Sequence, residues 1–192
     1  MDKEQQNALL NLAEKTIRLG CEGLKEPAIS NQLTTGLGSP FTELQATFVS
    51  LHKYGELRGC IGSLEAQRSL ANDIIYNAYA AAFHDHRFTP VDTTELDELE
   101  IEISVLTVPE PISADSEQEL LNQLVPNIDG LIIDDNHGHR ATFLPQVWEQ
   151  LPAPEEFLNH LKRKAGLSGD LWPEGMQCYR YHCLAFNNRR EG

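Results

Sequence analysis

The order hairpin, helix, strand occurs twice along this 192-residue chain, and it constrains the fold more than any other feature. In the first half, Ala46–Leu51 and Glu56–Ile61 flank Lys53-Tyr54-Gly55, where glycine suits a tight turn. A helix over about residues 69–84 follows. Ser69 can cap it, Asp73 suits its first turn, and Leu70, Ile74, Ala78 and Ala81 make a narrow stripe fit to lie close on a sheet. Leu99–Val108 then reads as a strand with Ile101, Ile103 and Val105 on one face, ended by Pro109 and Pro111. In the second half, Gly130–Asp134 and Arg140–Leu144 flank Asn136-His137-Gly138. Pro154-Glu155-Glu156 opens a helix of about 154–165, closed by Lys162-Arg163-Lys164 and Gly166, and Gln177–Phe186 is the last strand. Hairpins pair antiparallel, so the expected class is α+β rather than a doubly wound parallel sheet.

One domain over 1–192 is expected, with two sub-lobes of about 46–108 and 130–186 related by internal duplication. Overlaying them sets Arg140-Ala141-Thr142 against Arg58-Gly59-Cys60, which nominates Thr142 as a site residue. Outside the repeats, residues 2–19 read as a helix, 24–44 as loop, 113–125 as one short acidic helix, and 187–192 as a fraying tail.

Charge excludes some partners. Fifteen Lys and Arg against 29 Asp and Glu give a net charge of −14, which repels nucleic-acid phosphates and anionic lipid. No apolar run is long enough to span a bilayer, and Met1–Gln6 is unlike a signal peptide. The four cysteines form no C-x-x-C pair, so free thiols in a reducing cytoplasm are expected.

The hexad Leu57-Arg58-Gly59-Cys60-Ile61-Gly62 marks the candidate site. Simple alternation puts Arg58, Cys60 and Gly62 on one face of a strand, with guanidinium and thiol side by side. Two readings of Cys60 stand: a nucleophile stabilised by Arg58, or a small buried apolar residue. Gly59 and Gly62 signal a surface that something approaches closely. Glu102 lies opposite the Ile101 and Ile103 face; it is a general acid or base if that face lines a cleft, and a solubilising charge if it faces water. His84-Asp85-His86 closes a helix, and Asp134–His139 falls in a turn, so no metal site is expected at either. Nucleotide-binding, serine-hydrolase and zinc-protease motifs do not occur.

Five blocks in order carry a resemblance: Leu57–Gly62, Asp85-x-Arg87-Phe88-x-Pro90, Leu99–Leu106, Asp129-Gly130-Leu131 and Thr142–Trp148. Over about residues 7–186 the chain resembles the AMMECR-type domain family, the AmmeMemoRadiSam system protein A group. The resemblance implies an α+β fold with a barrel-like sheet built from two related halves and flanked by helices. It implies partnership with a Memo-like protein and a radical S-adenosylmethionine protein. It names neither a reaction nor a cofactor. Cys60, Arg58, Asp85 and Arg87 match the family pattern; His84 and His86 do not belong to it. The expectation is an enzyme or enzyme component of a modification pathway. In it Cys60 attacks, Asp85 orients an arginine, Arg58 and Arg87 supply charge, and Gly59 and Gly62 admit a ligand. The alternative is a non-catalytic ligand- or peptide-binding adaptor for the same partners.

Overall fold

Two hairpins seed two sheets. In the computed structural model, which describes residues 1–168 and 172–189, β1 (Thr47–Lys53) turns into β2 (Glu56–Gly62) through Tyr54 at φ 55° and Gly55 at φ 83°. Both values are left-handed, the geometry whose twist matches a two-residue hairpin. β3 (Leu99–Leu106) pairs antiparallel with β1 on its other side, and β8 (Cys183–Asn187) lies beyond it, giving the order β2-β1-β3-β8. Helices α1 (Lys3–Cys21) and α3 (Leu70–Phe83) pack on this sheet. Leu9, Ala13 and Ile17 of α1, and Ile74, Ala78 and Ala81 of α3, join Val49, Leu51, Ile101 and Ile103 in one buried cluster. α1 is started by a reciprocal cap: Asp2 accepts from the Gln5 amide at 2.8 Å, and the Gln5 side chain accepts from Asp2 at 3.0 Å.

The small residues of α3 let it come very close. At Gly59 an added Cβ would stand 2.3 Å from the Ala81 carbonyl oxygen. Asp73, expected to serve the helix dipole, is fully buried and binds the helix to the sheet instead. One of its oxygens accepts from the Thr47 amide at 2.9 Å, the Thr47 hydroxyl at 2.7 Å and the Asn77 side chain at 3.0 Å. The other meets Arg68 at 3.3 Å and Ser63 at 3.3 Å. Arg68 in turn stacks over Tyr76, 3.8 Å from the ring centre.

The second sheet has the order β4-β7-β5-β6, from β4 (Glu110–Ile112), β5 (Gly130–Asp134), β6 (Arg140–Phe143) and β7 (Gln177–Tyr181). α4 (Glu117–Leu121) and α5 (Pro154–Lys164) accompany it. Its core gathers Leu131, Ile133, Trp148, Phe157, Leu158 and Leu161, with Trp148 stacked on Phe157 at 3.7 Å. The Trp148 indole donates to the Asp129 carbonyl at 2.7 Å, so the ring is buried without an orphaned N–H.

The two sheets share one topology. In each, a hairpin and a helix lead to a third strand that pairs beside the hairpin's first strand, and a fourth strand lies beyond the third. The fourth strands are exchanged in sequence: β3 of the first sheet runs on into β4 of the second, and β7 of the second runs on into β8 of the first. Contacts divide the chain accordingly into residues 1–106 with the segment from Leu184 onward, and Thr107–Cys183.

Several expectations are corrected. The sheets form two separate antiparallel layers and not a closed barrel. The region 24–44 contains α2 (Glu26–Leu33), whose Ile29 is fully buried. β3 stops at Leu106, and Glu110–Ile112, which includes Pro111, forms β4 at the sheet edge, where a proline removes no inner ladder bond. The last strand is broken at His182 into β7 and β8. Of the tail, Asn187 ends β8, Asn188 accepts from the Ile101 amide at 2.7 Å, and residues 190–192 lie outside those described.

Candidate functional site

A β-bulge governs the hexad. Cys60 lies opposite Ser50 and Gly59 opposite Leu51, but Leu57 already lies opposite His52, so Arg58 is an extra residue without a partner. Parity reverses there: Leu57 shares the face of His52 and is 40 % exposed, where uninterrupted alternation puts it with Gly59. The expected pairing of Arg58 with the thiol is not what the guanidinium makes. Its Nε and Nη2 donate to the two Glu95 oxygens at 3.1 and 2.8 Å, and Nη1 donates to the Thr89 carbonyl at 2.9 Å. Arg58 thus ties β2 to the segment 89–95.

That tie titrates. The Arg58 hydrogen bonds hold the Glu95 carboxyl at about 2, against an ordinary 4.5, although burial acts the other way. A carboxyl depressed on folding contributes stability that is complete above the ordinary value and lost as pH falls through the folded one. The Arg58–Glu95 contribution should therefore fade between about pH 4.5 and about pH 2. In Arg58→Gln, urea unfolding should show a shallower loss of stability than wild type over that range; parallel pH curves would refute the assignment.

The guanidinium at Cys60 belongs to Arg87. β2 is an edge strand, and the outward N–H and C=O of Cys60 are taken by a charged pair in place of a further strand. Asp85 Oδ2 accepts from the Cys60 amide at 2.9 Å, and Arg87 Nη2 donates to the Cys60 carbonyl at 3.2 Å. Arg87 Nε and Nη2 donate to Asp85 at 2.9 and 2.7 Å. The Arg87 bonds keep the Asp85 carboxyl well below the usual carboxylate range, against the opposing effect of its burial, and Asp85 raises Arg87. Asp85 is buried while the Arg87 side chain is 57 % exposed, so the positive end of the pair is the accessible one.

Cys60 is half-buried on the sheet face turned away from Val49, Leu51, Ile101 and Ile103. The Ser50 hydroxyl donates to its sulfur at 3.2 Å. Ser50 also lies opposite Glu102, so thiol, hydroxyl and carboxylate form one row across three strands. Glu102 is half-buried and has no hydrogen bond or ion pair among the described residues. In the next row Phe48 lies between Gly62 and Ser104, and its ring occupies the place where a Gly62 Cβ would stand, 2.2 Å away. The close approach signalled by Gly59 and Gly62 is thus made by the protein itself, through Ala81 and Phe48.

The remaining candidate, Thr142, belongs to the second unit. It lies opposite Ile132 much as Cys60 lies opposite Ser50. Its hydroxyl donates to the Leu131 carbonyl at 2.9 Å and meets the Tyr181 hydroxyl at 2.7 Å. A cavity of about 500 Å³ is lined by Glu14, Asp97, Glu98 and Glu100 among others, and another of about 410 Å³ by Lys25, Tyr76, Tyr79 and His84; neither includes a residue of the hexad. Ser50 and Glu95 escaped the sequence reading, and Asp73 was read only as a first-turn acid. Counting outward from the turn sets Ser50 across from Gly59, so its place opposite Cys60 exists only through the bulge. Among the described residues, no helix is long and apolar enough to cross a membrane.

Comparison with known proteins agrees with this architecture. A crystal structure of an uncharacterized protein, PH0010 from Pyrococcus horikoshii, superposes with a TM-score of 0.81 at 30 % identity, covering 93 % of this chain and 89 % of that one. A protein of Methanothermobacter thermautotrophicus is 34 % identical over 97 % of this chain and 96 % of its own length. Protein MJ0810 of Methanocaldococcus jannaschii is 40 % identical over 76 % of this chain and 74 % of its own. The AMMECR1 family model matches residues 10–186, and the chain belongs to the AMMECR1 family.

Proposed function

We propose that the protein is an enzyme, or a component of one, in which Cys60 is the nucleophile, acting with Memo-like and radical S-adenosylmethionine proteins in a modification pathway. One observation carries this reading. The Cys60 backbone is gripped on both its N–H and its C=O by Asp85 and Arg87, while its sulfur stays half-buried and hydrogen-bonded to Ser50. Such a grip fixes a thiol in place, and a fixed thiol beside a cation is the usual setting of a reactive one. The exposed Arg87 supplies charge for an anionic group on the substrate, and Glu102 is the acid or base of the same face.

Iodoacetamide at pH 7.5 should modify Cys60 at least about tenfold faster in the folded protein than in the urea-unfolded chain. Equal rates would end the nucleophile proposal. Cys60→Ser should keep the circular dichroism spectrum and abolish function in cells.

One observation favours a second reading, an adaptor without catalysis. Asp85 and Arg87 direct their bonds to the free edge of β2, which is also what a purely structural closure of that edge requires. Cys60→Ser that retains function, together with capture of the radical protein at micromolar concentration, would select this reading.

A further inference from the structure

We infer that His52 takes the proton from the Cys60 thiol and that Glu102 orients its imidazole; this rests on the nucleophilic role proposed for Cys60. The placement follows from register. His52 follows Ser50 by two residues on β1, so both side chains leave the same face. Cys60 on β2 and Glu102 on β3 both lie opposite Ser50. Each is therefore the cross-strand diagonal neighbour of His52, with Cα atoms about 7–8 Å away, a span that long side chains bridge. By register His52 thus lies between a thiol-bearing residue on one neighbouring strand and a carboxylate-bearing residue on the other.

In the resting structure no hydrogen bond or ion pair joins His52 to Glu102 or to Cys60, so the three groups meet only when their side chains turn. His52 and Glu102 are both half-buried, and neither side chain has a hydrogen bond or ion pair among the described residues. Glu100, directly opposite His52, is drawn toward Arg189 at 3.5 Å. Leu57 is the β2 residue opposite His52, and Arg87 stands beside Cys60 with its charge shared by Asp85. The groups that face His52 from its neighbouring strands are thus two carboxylates, a thiol and an apolar side chain. Cys60, with both backbone polar groups held, needs only rotation of its side chain to reach the ring.

The arrangement is that of a cysteine-dependent acyl transferase or hydrolase. As the sulfur attacks an acyl carbon, the S–H proton passes to His52, an S–C bond forms, and the bond from carbon to the leaving group breaks. The leaving group departs with the proton from His52. Water or an amine then attacks the thioester, loses a proton to His52, and takes the acyl group; the same proton returns to the sulfur. Cys60 is unchanged at the end and no oxidant is used. With His52 as the base, Glu102 acts through it, as a positioning residue in place of the acid-or-base role given above.

The test is the pH profile of iodoacetamide modification, read at the Cys60 peptide by mass spectrometry. In this probe reaction an S–C bond forms, iodide leaves, and the proton goes to His52 and then to water. At pH 6.5, His52→Gln should slow modification about tenfold, while at pH 9.5 the two proteins should converge because hydroxide removes the proton directly. Glu102→Gln should fall between them, about threefold slower at pH 6.5. Added imidazole should restore the rate at pH 6.5 in His52→Ala, a recovery that a change in packing cannot produce. A His52→Gln profile superposing on wild type, with circular dichroism unchanged, overturns the assignment and leaves Cys60 as the nucleophile. If wild-type Cys60 reacts no faster than the unfolded thiol at any pH, the nucleophile and its base fall together.

Discussion

Asp73→Ala should cost about 4 kcal/mol of folding stability. Truncation removes a fully buried carboxylate and leaves the Thr47 amide and hydroxyl without their acceptor and Arg68 without its ion pair, while the Asn77 side chain keeps its bonds to the Thr47 carbonyl and hydroxyl. Water cannot reach the two Thr47 donors, since Thr47 is itself fully buried. The mechanism is loss of acceptors and not loss of volume. Asp73→Asn should accordingly recover only part of the stability, because its NH₂ would face donors. Urea unfolding with the transition midpoint and slope recorded for each variant measures this. A loss below about 1 kcal/mol in Asp73→Ala would mean that the network adds little beyond satisfying itself.

The second large effect is at the hexad. Gly59→Ala should destabilise the fold by about 3 kcal/mol, although it adds one methyl group. The obstacle is a backbone carbonyl, that of Ala81 at 2.3 Å, so relief requires α3 to move off the sheet as a body. Gly62→Ala meets atoms as close, at 2.2 Å from Phe48 Cγ, but they belong to a side chain, which can swing to another χ1 rotamer where the Ala81 backbone cannot. Its cost should be about 1 kcal/mol. The contrast is the diagnostic: equal losses at the two positions would show that space alone, and not the rigidity of what fills it, sets the penalty. Gly59→Ala should also speed modification of Cys60 in the partly opened state, since the neighbouring residue is displaced with it.

Much of the fold could be read from local signals. Both hairpins, α3, β3 and α5 announce themselves through turn residues, caps and periodicity, and those act over a few residues. α2 did not, because eight residues carrying one fully buried side chain make too weak a period. β4 was hidden by its prolines, which bar a strand only from the interior of a sheet. The site was legible in part. The hexad and the pair Asp85 and Arg87 stand out in sequence, but what joins them is a backbone contact across 25 positions. Arg58 was misplaced for a definite reason. Counting by twos assumes an unbroken ladder, and one unpaired residue, Arg58, opposite the step from Leu51 to His52 inverts the count for everything before Gly59. His52 went unnoticed because its relation to Cys60 exists only once β1 and β2 are in register.

The traded fourth strands bear on how this polypeptide can be dissected. A fragment ending at Leu106 lacks β8, so β3 is left with unpaired ladder groups and Ile101 loses its bond to Asn188. Such a fragment is not a miniature of the parent; it is an incomplete template, open to association through its bare margin. A synthetic peptide of residues 183–189 is the natural complement, and its addition in trans should convert an aggregating fragment into a soluble one.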